Sequence, residues 1–136
     1  VVAIVIASCS KSIKISKQLD GTWKVTEYKE NGVSIDVDSA GFDDSYSITF
    51  EKCKVTKEDC PGSYTFTFDL LGVPTTFTEN FTYSINEDGT EITLIFDDNG
   101  IITEDTATIL EHSNSNFAIE DTDSNGNVTE IHYEKI

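Results

Sequence analysis

The feature that most constrains this chain is an alternation of period two that starts at Thr22 and recurs to the end of the sequence. Trp23 and Val25 share one face of the first stretch, Tyr46, Ile48 and Phe50 one face of the next, and Tyr64, Phe66, Phe68 and Leu70 continue the pattern. Phe77, Phe81, Tyr83 and Ile85 follow, then Ile92, Leu94 and Phe96. Shorter series close the chain: Ala107 and Ile109, Phe117 and Ile119, Ile131 and Tyr133. Successive side chains of a strand point to opposite faces, so this spacing builds strands with one apolar and one wet face. No stretch of useful length carries the spacing of an amphipathic helix.

The breaks between these stretches carry turn chemistry. Asn31-Gly32, Asp88-Gly89, Asn99-Gly100 and Asn125-Gly126 each offer a pair that tolerates positive φ, as tight hairpins require. Strands near 22–29, 45–53, 63–70, 76–86, 91–97, 103–111, 116–121 and 128–134 make about eight, in meander order with short loops. The predicted fold class is all-β, an antiparallel up-and-down β-barrel, because closure removes exposed edges. The alternative is a β-sandwich of two sheets. Two connections depart from the pattern: Val33 to Asp44 is long and acidic, and Leu70-Leu71-Gly72-Val73-Pro74 puts apolar side chains at a turn. Leu71 and Val73 either rim an entrance or pack in the core.

The stretch Leu19-Asp20-Gly21-Thr22-Trp23-Lys24-Val25 opens the first strand. A Gly two residues ahead of the only Trp lets the backbone turn sharply while the indole closes one end of an apolar interior. Gly21-Thr22-Trp23 resembles the G-x-W motif of lipocalins, and residues 19–136 resemble the lipocalin-like domains of small Gram-negative bacterial lipoproteins. The resemblance implies a barrel closed by Gly21 and Trp23, with the 33–44 connection in the place of the lid. It also implies a small apolar or amphipathic ligand in the mouth. The Arg that stacks on the motif Trp in lipocalins has no counterpart, since the chain contains no Arg.

Ahead of this domain, Val1 to Ala7 is a continuous apolar run, far short of the roughly 20 residues that cross a bilayer. It reads as the end of a signal peptide, residues 1–8, and Ile6-Ala7-Ser8-Cys9 resembles a lipobox. That resemblance makes Cys9 the site of lipid attachment, and Ser10 after it implies the outer membrane of the cell envelope. The competing reading is a buried first strand with an incidental Cys. Residues 9–18, with Lys11, Lys14 and Lys17, read as a lipidated tether in preference to a short helix, because one or two helical turns are marginal in water. With Cys9 assigned to lipid, Cys53 and Cys60 remain as a pair in an oxidising compartment and are expected to be disulfide-bonded. Free thiols or a metal pair are the rivals.

Composition excludes several functions. Eight Phe, five Tyr and one Trp are too much core material for a disordered chain. A net charge of −16 repels a phosphate backbone, so no nucleic acid is expected. His112 and His132 are the only candidate bases for a Ser or Cys nucleophile, and neither is placed to act; the chain reads as a non-enzyme with no cofactor. Asp121 to Gly126 matches the first half of a calcium loop, but His132 stands where a bidentate Glu belongs, so the stretch reads as a polar hairpin turn and no metal is expected.

The inward aromatics Trp23, Phe50, Phe66, Phe68, Phe81, Tyr83 and Phe96 can be read two ways, since an eight-stranded barrel either fills with side chains or holds one small ligand. They are the candidate ligand-binding residues of a monomeric carrier. If the barrel is solid, the same chain is an envelope module that meets a protein or glycan through its acidic surface or the 33–44 loop.

Overall fold

A computed structural model describes residues 11–53 and 60–136 of the chain. It begins with helix α1 (Lys11–Leu19) and continues with β1 (Gly21–Glu30), β2 (Val33–Ile35), β3 (Ser47–Phe50), β4 (Cys60–Leu70) and β5 (Val73–Ile85). Four more strands follow: β6 (Glu91–Asp98), β7 (Ile101–His112), β8 (Asn116–Thr122) and β9 (Val128–Lys135). Strands β1 and β3 to β9 pair antiparallel in chain order, and β9 returns to β1 from Trp23↔Lys135 to Glu30↔Thr129. Eight strands therefore close an up-and-down barrel, and the sandwich is set aside. The apolar positions of the alternation face inward, and Trp23, Ile48, Phe50, Phe81, Tyr83, Ile85, Ile92, Phe117 and Tyr133 are buried together.

Asn31-Gly32 and Asn99-Gly100 turn as expected, with φ of 49° and 80° in one and 51° and 91° in the other. These are the paired positive values of a two-residue hairpin loop. Leu71-Gly72 does the same with φ of 53° and 83°, though a Leu in that region is strained. Leu71 is 99% exposed and Val73 62% exposed, so this connection stands at a rim and not in the core.

Two elements differ from the sequence reading. Part of the long acidic connection after β1 is the short strand β2, paired to β1 through Tyr28↔Ile35 and Glu30↔Val33. The rest folds onto the barrel: Phe42 donates its N–H to Val37 O and packs its ring 5.5 Å from Tyr28 and 4.9 Å from Tyr46. The second difference is α1, where a tether was expected. Nine residues are too few for a helix to hold in water by propensity alone. Here the barrel supplies the missing energy, since Ser12, Ile15 and Leu19 form one buried face.

That helix plugs one end of the barrel. Its last carbonyls would be orphaned, as at any helix end. The Trp23 indole N–H donates to Leu19 O at 2.8 Å, and the Lys135 ammonium donates to Gln18 O at 2.7 Å and Asp20 O at 2.9 Å. The same ammonium lies 5.0 Å over the Trp23 ring, a cation–π contact. Lys135 thus fills the role that the missing Arg left open. Gly21 is required beside it, because its φ is 138° and a Cβ there would lie 3.3 Å from the Lys135 side chain. On the other side of the plug, a Cβ at Gly89 would meet Ile15 Cδ1 at 2.8 Å, so the β5–β6 turn seats the helix.

Cys53 and Cys60 are bonded, with Cα atoms 4.8 Å apart, at this same end. Closing that short ring contributes about 2.5 kcal/mol in the chain-entropy account. Gly62 on β4 has a further role that the sequence did not signal. The Phe81 ring lies across it, and a Cβ would come within 2.4 Å of that ring and 2.9 Å of Thr49 O. Glycine here lets a bulky partner cross the sheet face.

Replacing the ammonium while keeping an apolar stem tests the plug. Lys135→Met is expected to destabilise the fold by about 2 kcal/mol, the scale of hydrogen bonds to a charged group, measured by urea unfolding. A change within a few tenths would show that the plug does not depend on Lys135.

Candidate functional site

The barrel has two unlike ends. At the plugged end lie α1, the disulfide and the β5–β6 and β7–β8 turns; at the other lie the β1–β2, β4–β5, β6–β7 and β8–β9 turns. Between them is an interior cavity of about 230 Å³. Its floor is Phe50, Phe117 and Tyr133, its walls are Ile48, Ile92, Leu94, Ala107, Ile119 and Ile131, and Asp105, Asp121 and Thr129 line it toward the open end.

The space exists because the inward side chains are unequal in bulk around the barrel. β4 and β5 place Tyr64, Phe66, Phe77 and Phe81 on the inward face, as the cross-strand pairs Phe66↔Phe77 and Gly62↔Phe81 fix. On β7 to β9 the same positions hold Ala107, Ile109, Ile119, Ile131 and short polar residues. Rings therefore fill one side and leave the other hollow.

The filled side is a continuous aromatic wall. Phe50 packs edge-on to Phe81 at 5.9 Å and to Tyr83 at 5.1 Å. Farther toward the mouth, Tyr64 stacks on Phe66 at 6.2 Å, Phe66 meets Phe77 at 5.3 Å and Phe68 at 5.9 Å, and Phe96 lies 6.3 Å from Tyr64. The Tyr64 hydroxyl donates to the Glu79 carboxylate.

The seven aromatics singled out in the sequence are thus distributed over three places. Phe50 lines the cavity. Trp23 is wholly buried in the plug, with Phe81 and Tyr83 buried between plug and wall; the Tyr83 hydroxyl donates to Glu51 O at 3.1 Å. Phe66, Phe68 and Phe96 belong to the outer part of the wall, and Phe68 is 40% exposed. Sequence reasoning missed most of the cavity lining. The available signal was the alternation of the later strands, whose small inward residue Ala107 and inward carboxylates Asp105 and Asp121 depart from a filled core.

The remaining candidates have local roles. The Asp123 carboxylate accepts from Asn125 N at 2.8 Å, Asn127 N at 3.0 Å and Asn127 Nδ2 at 3.1 Å. It organises the β8–β9 turn, and those hydrogen bonds, led by that from the Asn127 side chain, hold its pKa below the ordinary value. Among the described residues no group of three or more His, Cys, Asp and Glu is placed to hold a metal ion. His112 Nδ1 lies 2.8 Å from Gln18 Oε1 at the plugged end, and His132 Nε2 lies 2.6 Å from Glu130 Oε1.

Burial acts on the tyrosines of this interior. It pushes Tyr46 and Tyr83 up to about 12 and Tyr133 well above its usual value, while Tyr64 rises to about 12 through burial and then the Glu79 carboxylate. An unfolded chain sheds these protons near 10.0, the ordinary value, whereas the folded chain keeps them. Stability is thus fully present below 10.0 and is lost as pH climbs toward 12. Alkaline titration is expected to show tyrosinate absorbance rising together with loss of the buried Trp23 emission. Free titration of all five tyrosines near 10.0 with the fold intact would contradict the burial described.

Residues 19–134 match a family model described as a lipocalin-like domain. No curated protein matches the sequence. Among solved structures, Japanin from Rhipicephalus appendiculatus bound to cholesterol aligns with a TM-score of 0.61 at 10% identity, over 95% of this chain and 80% of that one. A redesigned β-barrel aligns with a TM-score of 0.50 at 14% identity, over 96% of this chain and 99% of the other. At these identities the likeness is one of fold.

Proposed function

The chain belongs to the lipocalin-like domain family, and from that premise we propose that it carries a small apolar or amphipathic molecule in the barrel while anchored to the outer membrane through Cys9. The family is generally one of binding and not of catalysis. The observation that carries the reading is the interior cavity of about 230 Å³, lined mainly by apolar side chains between the plug and the mouth. It favours a carrier over a solid interaction module. Japanin is described as bound to cholesterol. The cavity here lies below the roughly 300–1,000 Å³ usual for ligand pockets, which suits a smaller molecule.

The energetics are modest. A ligand that buries roughly 200 Å² of apolar surface gains about 5 kcal/mol before the costs of association. The fold limits what else must move, because the connection carrying Phe42 already packs on Tyr28 and Tyr46 beside the mouth.

Cys9 itself lies outside the described residues. The start of α1 bears on how such an anchor would orient the barrel: Lys11 sits against Gly89 at the plugged end, and two residues of chain reach at most about 7 Å. A lipid on Cys9 would therefore tether the plugged end and leave the mouth directed away from the bilayer. Lys11, Lys14 and Lys17 on α1 then stand near anionic headgroups, at about 1 kcal/mol each.

Two measurements test this reading. Titration of the purified protein with naphthylmethanol, read by the probe's fluorescence and by competition with unlabelled lipids, is expected to give one saturable, displaceable site. No binding to protein that unfolds cooperatively would overturn the carrier reading. In cells fed labelled fatty acid, Cys9→Ala is expected to abolish acyl labelling, and continued labelling would sink the anchor.

A further inference from the structure

The cavity has a chemical polarity along its length. Along β8 the inward residues run Phe117, Ile119, Asp121 from floor to mouth, and along β7 they run Ala107, Asp105 in the same direction; all five line the cavity. Floor and carboxylate are thus separated by about 13 Å of strand, four residues at 3.3 Å each. Thr129, which lies between Asp121 and Glu30 as the cross-strand partner of both, continues this polar side onto β9 and β1.

Three facts make the two carboxylates unusual. No residue lining the cavity is basic. Among the described residues neither the Asp105 nor the Asp121 carboxylate has a hydrogen-bond or ion-pair partner, whereas the Glu30 carboxylate accepts from the Tyr28 hydroxyl at 3.0 Å and that of Glu79 from Tyr64. Lysines on the strands of the barrel are engaged elsewhere: Lys24 with Asp44, Lys29 with Glu27 and Glu130, and Lys135 in the plug at the far end. Two like charges at the mouth of one cavity repel each other, and a cation placed between them removes that cost.

We propose that the ligand is a cationic amphiphile: an amine whose apolar or aromatic body sits on Phe50, Phe117 and Tyr133 and whose ammonium is held by Asp105 and Asp121. Charge-assisted hydrogen bonds from an ammonium to carboxylates exceed neutral ones in strength. The aromatic wall beside the mouth adds ring faces that attract cations. The net charge of −16 draws the same ligand class toward the protein from a distance. An anionic amphiphile such as a fatty acid would meet repulsion at this rim.

This inference rests on the carrier reading, and the test separates the two. The purified protein and an Asp105→Asn/Asp121→Asn variant are titrated with three probes that share one ring system: naphthylmethylamine, naphthylmethanol and naphthylacetate. The cation is expected to bind about tenfold more tightly than the neutral probe, on the scale of a charge-assisted contact at a partly hydrated site, and the anion most weakly. In the variant the ratio of cation to neutral-probe affinity is expected to fall toward one; that ratio should also shrink with added salt in the unsubstituted protein. Equal affinities for all three probes would overturn the inference while leaving the carrier intact. A cation preference that survives in the variant would assign it to the overall charge and also overturn the inference. Failure of every probe to bind would overturn the carrier reading and the inference with it. Both substituted positions are exposed, so equal unfolding transitions are expected for the two proteins.

Discussion

The hydrogen bond from the Trp23 indole to Leu19 O, with the Lys135 ammonium beside it on Gln18 O and Asp20 O, is the constraint on which the rest of the molecule depends. It joins the end of α1, the start of β1 and the end of β9 in one knot. A helix of nine residues gains its C-terminal partners there, the barrel gains a stopper, and the seam where first and last strands meet is fixed at Trp23↔Lys135. Each party lacks stability alone: the helix is too short, and the barrel would expose Trp23 without it.

Once one end is stopped, bulk distribution decides the character of the other. Rings on β3 to β5 pack against one another on one side of the barrel, and Gly62 gives the Phe81 ring room to lie on the sheet. Above Phe117 and Tyr133 the inward positions of β7 to β9 carry no comparable volume, and packing cannot close the gap because the strands are held by their ladder. A cavity is the consequence. Its dry floor and charged rim follow from where each inward residue falls between plug and mouth. The exposed apolar residues Leu71, Val73, Ile101 and Ile102 stand at the turns of the same open end.

Much of this was legible in the sequence. Period two named nearly every inward residue, Asn-Gly pairs marked the hairpins, and Gly21 with Trp23 marked where the barrel closes. Three things were not legible, each for a physical reason. The helix is stabilised by a surface formed by strands far along the chain, so its own nine residues carry only a weak signal. Lys135 acts at a distance of 112 residues from Trp23 in sequence, so nothing near the motif marks the cation that lies over its indole. The cavity is a volume left over between side chains, which depends on how eight strands tilt around one axis; the aromatic residues drew attention to the wall that is full, not to the side that is empty.

The central claim is that the interior between Phe117 and Asp121 is a ligand site. The most direct measurement is methyl NMR on the protein during titration with naphthylmethylamine. The account predicts saturable shifts at Ile48, Ile92, Leu94, Ile119 and Ile131, which line the cavity, with Ile15 and Leu19 in the plug unmoved. Shifts confined to Leu70, Leu71, Val73 and Ile101 on the outer turns, with the interior methyls unchanged, would contradict it.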